Sequence, residues 1–430
     1  MVCLAILVAA AGAAPPQSAI DLQLAARYFQ EAKWASDDDG GKLWGKALYG
    51  PMLFADPQTR AVVANQGDKQ GKLRKQGAVW VGTLPPDVGI ANTATEWAGV
   101  HWTMVMWGAL AGPQALRDQL MMHECWHRIQ ADIGLPPPTT QQANAHLDTK
   151  SGRIWLRLEW KALAAALVGI GDERTRAVTD AMIFRAYRRS LIPGAAAQED
   201  RMEVHEGLAE YTGVRLMGLG DWSRGSYIAG RVKINAVSRP SYPMSFAYET
   251  GPCYGILLDA CGKEWRSKLT PASSLSETLR EALGIQLPAD LAGAAQDRAA
   301  EYDGPVIVAE EEKREQTRMA AEAKWRALLV DGPTLELPIP HANYSYDPNA
   351  VFPLGDDGTV YPETRIADDW GVIEVKNGAR LVREKHAAFV AAPKSPDDLS
   401  NANWVLALKP GWKLVPSERR GDYKIARSGR

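Results

Sequence analysis

Strand-like and helix-like segments are segregated along this 430-residue chain, and that segregation limits the folds open to it more than any other feature. Short apolar runs bounded by turn residues come first. "PMLFADPQTRAVVANQ" reads as a hairpin around Asp56-Pro57, "GAVWVGTLP" as a further strand, and "GVHWTMVMWG" (99–108) as another. From about 114 to 300 apolar residues recur every three or four positions, the helical period. Beyond Gly332, "DDGTVYP", "WGVIEVKNGARLV" and "WVLALKPGWKLV" return to short strands and turns. The fold class expected is α+β: a β-rich N-terminal layer, a helical subdomain, and a small C-terminal antiparallel β module.

Several smaller readings complete the layout. Residues 18–34 form a helix with Ser18 placed as its N-cap, and the charge-rich 309–329 reads as an exposed helix with a solvated face. The opening "MVCLAILVAAAGAAPPQS" has the shape of a secretory signal with a cut after Ala11 or Ala13, which predicts a periplasmic or secreted mature chain. No later apolar run approaches the ~20 residues of a membrane span, so no transmembrane helix is expected in the mature chain. The expected division is a signal at 1–14, one domain over 18–300, a helical linker at 301–331, and the β-rich module at 332–430. A formal charge of −2 and no long basic run leave no electrostatic footprint for nucleic acid. Four cysteines make no disulfide framework and are read as packing residues.

The chemistry concentrates in "MMHECWHRIQ" (121–130), which carries the spacing His123-Glu124-x-x-His127. On a helix, residues four apart lie on one face, so both imidazoles reach one metal ion. Glu124 is rotated about 100° from His123, where it can address a water without being a ligand. A catalytic zinc needs three protein ligands and one open position, so a third ligand must come from elsewhere. Cys125 points to the far side of the helix and is read as core.

Two later stretches supply the partners. "VHEGLAEYTG" (204–213) presents Glu206, Gly207, Ala209 and Tyr211 in the pattern E-G-x-A-x-Y, and "FAYETGPCYGILLDACG" (246–262) contains Tyr248-Glu249-Thr250-Gly251. In this order, after an HExxH helix, they resemble the gluzincin superfamily of HExxH zinc metallopeptidases, including its aminopeptidase-N-like members, over roughly residues 90–270. The resemblance implies a zincin-like peptidase domain holding one Zn²⁺ on His123, His127 and Glu206. It further implies Glu124 as general base, Tyr248 as oxyanion donor, and Glu210, one turn after Glu206, as a carboxylate orienting a histidine. Two departures stand out: 78 residues separate His127 from Glu206, far more than in aminopeptidase-N-like enzymes, and the G-x-M-E-N amine-binding motif is absent.

In HExxH peptidases an extended substrate pairs with the edge strand of the sheet, and 99–108 is the strand assigned here, with His101, Trp102 and Thr103 as substrate-binding residues. Glu96 is the nearest upstream carboxylate that could hold an amine. His205 is a rival ligand, but adjacent helical residues point about 100° apart, and the E-G-x-A-x-Y context selects Glu206. The function expected is zinc-dependent hydrolysis of a peptide or protein substrate. The alternative is an inactive exported zincin-fold protein that binds a glycan or a protein partner, for which fifteen tryptophans offer stacking surfaces.

Overall fold

The computed structural model describes residues 20–139, 144–346 and 350–428, and in it the chain divides between Gly304 and Pro305 into two compact units. The export signal assigned to 1–14, and Ser18, lie outside the described residues. Helix α1 (Leu22–Asp39) is capped instead by Asp21, whose carboxylate accepts from the N–H groups of Gln23 and Leu24. Among the described residues no helix is long and apolar enough to cross a membrane.

The first unit opens with a six-stranded sheet. Its strands are β1 (Met52–Ala55), β2 (Ala61–Ala64), β3 (Arg74–Gln76), β4 (Val79–Thr83), β5 (Thr93–Trp97) and β6 (Val100–Met106), in the order β3-β4-β2-β1-β6-β5. The hairpin around Asp56-Pro57 is present as β1–β2. Strand β6 is not the edge strand assigned above: it pairs in parallel with β1 and antiparallel with β5, and β5 forms the edge. The β5–β6 turn runs through Ala98 and Gly99 with φ of 49° and 76°. Such two-residue turns usually carry Asn-Gly or Asp-Gly, so an Ala-Gly turn gives no hairpin signal in sequence. One sheet face packs Leu53, Trp97, Trp102 and Met104 into a core. On the other, Phe54 stacks on Phe29 of α1 with centroids 4.2 Å apart.

That second face carries α2 (Gln114–Ile129), the HExxH helix, whose Met121, Met122, Cys125, Trp126 and Ile129 are buried. Helices α3 (Lys150–Val168) and α4 (Gly171–Ser190) pack on each other and make up much of the long stretch between the HExxH helix and the E-G-x-A-x-Y segment. Helix α5 (Ala195–Met202) then runs through a π-helical turn, Glu203–Gly207, into α6 (Leu208–Leu216), which lies against α2. Helices α7 (Asp221–Ser238) and α8 (Ala247–Ala260) complete the surroundings of the site, followed by α9 (Leu275–Leu283) and α10 (Leu291–Ala299).

A buried ion network joins the insertion to the π-turn. Glu159 of α3 accepts from Arg185 Nη1 (2.9 Å) and the Tyr254 hydroxyl (2.7 Å) through one oxygen, and from Arg188 through the other. Arg185 Nη2 also donates to Glu203 Oε2 (2.6 Å), the first residue of the π-turn, while Arg188 Nη2 donates to Glu199 Oε2 (2.8 Å).

In the second unit, helix α11 (Gly304–Arg326) leads into strands, and Trp325 and Leu329 at its end pack with Leu354 and Val360. The stretch read as a linker thus contributes to this unit's core. The strands form a seven-stranded and a four-stranded sheet, antiparallel except where Thr334–Pro338 pairs in parallel with Tyr423–Arg427. Buried Trp370, Trp404, Ile373 and Leu381 fill its core.

Candidate metal centre

The HExxH spacing does what helical geometry requires. His123 and His127 project from one face of α2, with Nε2 of each 3.1 Å from the other. Glu206 Oε2, from the π-turn, lies 3.5 Å from His123 Nε2 and 3.4 Å from His127 Nε2. The three atoms form a triangle with sides of 3.1–3.5 Å. A tetrahedral zinc with bonds of about 2.0–2.1 Å sets its ligand atoms about 3.3–3.4 Å apart, so these residues fit the ion. Glu124 is close as well, with a ligand atom within 4.8 Å of those of both histidines, and its Oε2 is buried without a hydrogen-bond partner.

The charges lead to the same conclusion. Burial works against a charged His123, yet hydrogen bonds to Glu206 and Glu210 outweigh it and lift the imidazole to about 10. Burial alone would raise Glu206, but the two histidines hold its carboxyl far below the usual range. Glu124 is pushed up to about 7, chiefly by burial; His123 opposes the rise and the charges of Glu206 and Glu210 add to it. Carboxylates and imidazoles gathered in this way form a donor set of the kind that could hold a divalent cation.

Each remaining residue of the two later motifs can be located. Glu210 Oε2 sits 2.8 Å from His123 Nδ1, so it fixes the ring and directs Nε2 toward Glu206 and His127. Tyr248 stacks on His123 with centroids 5.5 Å apart, and its hydroxyl donates to Glu206 Oε2 at 2.7 Å. Glycine is required where these segments cross. A Cβ on Gly251 of α8 would fall 2.2 Å from the Cα of Gly207 in the π-turn, and one on Gly213 would fall 2.3 Å from the carbonyl oxygen of Gln119 on α2.

A cavity of about 400 Å³ opens over these groups, lined further by Asn92, Thr93, Ala94, His101, Gln130 and His205. Of the three residues assigned to substrate on β6, only His101 lines it. Trp102 is buried in the opposite face of the sheet, its indole N–H donating to the Trp97 carbonyl at 3.0 Å, and Thr103 is buried against Cys125. Thr93 and Ala94 of the edge strand β5 line the cavity, whereas Trp102 and Thr103 do not. Glu96 is paired with His101 at 2.7 Å on the surface.

His205 was set aside as facing away, yet it stands in the cavity wall, its ring 4.9 Å from that of His127 and its Nδ1 3.0 Å from Gln130 Oε1. The α-helical rotation of about 100° per residue does not apply in a π-turn, where hydrogen bonds close i→i+5 and the helix widens. Gln130 also approaches His127 Nδ1 at 3.3 Å. Its position three residues after His127, on the same helix face, is a signal the sequence carried. Cys125, Cys253 and Cys261 are free thiols. Compared with protein-family models, with curated proteins and with solved structures, the chain finds no match.

Proposed function

We propose that the protein is a zinc-dependent peptidase. The observation that carries this reading is the convergence of His123 Nε2, His127 Nε2 and Glu206 Oε2 within 3.1–3.5 Å beside the unpartnered, buried Glu124 Oε2. Bound there, zinc supplies Lewis acidity and brings the pKa of a water down to about 7. His123 and His127 would hold it through Nε2 and Glu206 through Oε2, and Glu210 keeps the His123 ring in the tautomer that leaves Nε2 free. Glu124 Oε2 accepts a proton from the attacking water and returns it to the nitrogen of the leaving amine, a balanced transfer needing no further reactant. The Tyr248 hydroxyl, one hydrogen bond from Glu206, lines the same cavity and is the donor assigned to the developing carbonyl charge. An extended peptide pairs with the free edge of β5, next to His101.

Metal analysis of the purified chain tests the reading. About one zinc per chain is expected, with loss in His123→Ala, where a ligand is deleted. A folded wild type without bound metal after incubation with zinc removes the basis of the proposal.

Tyr248→Phe separates the roles of the tyrosine. Loss of one oxyanion donor lowers kcat by about 10²–10³-fold. Because the ring still stacks on His123, zinc content is expected to stay at the wild-type value. Zinc loss in this variant, measured alongside peptide cleavage, would show that the hydroxyl holds Glu206 and does not serve the reaction.

A further inference from the structure

We propose that Arg231 is a positioning residue that makes zinc retention and the placement of Tyr248 depend on one guanidinium. The inference rests on the metallopeptidase reading and extends it to a helix, α7, that holds none of its motifs.

Arg231 makes three charge-assisted contacts, to three acceptors on two segments, α6 and the start of α8. Nη1 donates to Glu210 Oε1 at 2.5 Å, and the other oxygen of that carboxylate holds His123 Nδ1 at 2.8 Å. Nη2 donates to the backbone carbonyl of Tyr248. Nε donates to Glu249 Oε2 at 3.1 Å. The middle contact exists because of a local peculiarity of α8. In a regular helix the carbonyl of residue 248 accepts from the N–H of residue 252, but residue 252 is proline and has no N–H. A carbonyl next to the site is thereby freed at the residue bearing the oxyanion donor, and the guanidinium takes it.

The side-chain type matters. Arginine presents a rigid planar fork that reaches acceptors in several directions at once, whereas lysine is a single point charge on a flexible stem. Glu249, fully buried, is also held by Asn235 Nδ2 at 2.6 Å and by Arg239 Nη2 at 3.4 Å, so it keeps partners without Arg231. Among the described residues, Glu210 then keeps Gln119 and His123 alone. Loss of Arg231 therefore loosens Glu210, and with it the His123 ring, while releasing the start of α8 from a second direction.

The test measures zinc affinity by competition with a chelator, and kcat on a cleaved peptide, for folded wild type and variants. Arg231→Met is expected to weaken zinc binding about tenfold or more, the range found when a residue behind a metal ligand is removed. In a Glu210→Gln background the same change is expected to leave zinc affinity within about twofold but still to lower kcat through Tyr248. Arg231→Lys keeps the charge should the methionine variant not fold. It is expected to hold zinc within about threefold of wild type and to lose about tenfold in kcat, because a lysine cannot hold Glu210 and the Tyr248 carbonyl together. Arg239→Met, which shares only Glu249, is expected to change neither quantity more than about twofold. Wild-type zinc affinity in Arg231→Met, wild-type kcat in Arg231→Lys, or an equal loss in Arg239→Met overturns the inference and leaves the zinc reading standing. A wild type that holds no zinc overturns that reading, and this one with it.

Discussion

Glu124→Gln is expected to lower peptide hydrolysis by about 10²–10⁴-fold, the contribution of a positioned general base, while zinc stays at about one per chain. The substitution preserves shape and volume and removes only the capacity to take a proton. Burial has already brought the Glu124 carboxyl to about 7, with His123 opposing and Glu206 and Glu210 assisting, close to the value a base needs at neutral pH. Among the described residues its Oε2 has no hydrogen-bond partner, so the atom is available to a water. The measurement also resolves a choice between two carboxylates. Both Glu124 and Glu206 approach the histidines, but only Glu206 Oε2 completes a triangle of zinc-like dimensions. If Glu124→Gln loses zinc while Glu206→Gln keeps it, the two have been assigned the wrong way round. If Glu124→Gln cleaves peptides at the wild-type rate, no general-base role survives.

Glu159→Ala is expected to destabilise the first unit by about 3–5 kcal/mol, the usual cost of leaving buried charges uncompensated. Glu159 is 0% exposed, and Arg185 and Arg188 beside it are 2% and 1% exposed. The truncation also removes the acceptor of the Tyr254 hydroxyl. A fall in the melting midpoint on the order of 10 °C corresponds to that energy in a unit of this size. A shift of under 2 °C would mean that Glu199 and Glu203 neutralise both guanidiniums unaided. The same network responds to pH. Burial alone would raise the Glu199 carboxyl, but Arg188, His146, Arg189 and Arg185 override it and hold it well below the ordinary carboxylate range. Its contribution to stability is therefore fully present above the unfolded carboxylate value and is lost as pH falls through the lowered one.

What the sequence revealed about the site follows from which interactions are local. His123, Glu124 and His127 lie on one helix, and their relation depends only on the pitch of that helix. Glu206 and Tyr248 were legible because their neighbours form patterns of known spacing, and the structure brings both to the histidines. The π-turn was not legible, since nothing in "EVHEG" distinguishes a π from an α turn, and with it the place of His205 in the cavity wall beside Glu206. The edge strand was misassigned because β5 meets β6 through an Ala-Gly turn that carries no turn residue beyond one glycine. Arg231 could not be found by pattern. Its role comes from three acceptors on other parts of the chain, one of them a carbonyl that is free because proline stands four residues later.

The crossing of Gly207 and Gly251 has a consequence for how the site tolerates change. The two backbones are in contact, so the distance from Glu206 to Tyr248 is set by the absence of side chains between them. A methyl group at position 251 has no flexible neighbour to displace and must move a main chain, carrying either the ligand or the hydroxyl with it. These two glycines carry no functional group, yet they act as the gauge that fixes the separation of the Glu206 carboxylate and the Tyr248 hydroxyl. On the reading proposed here, variation at either would act by changing a length rather than a functional group.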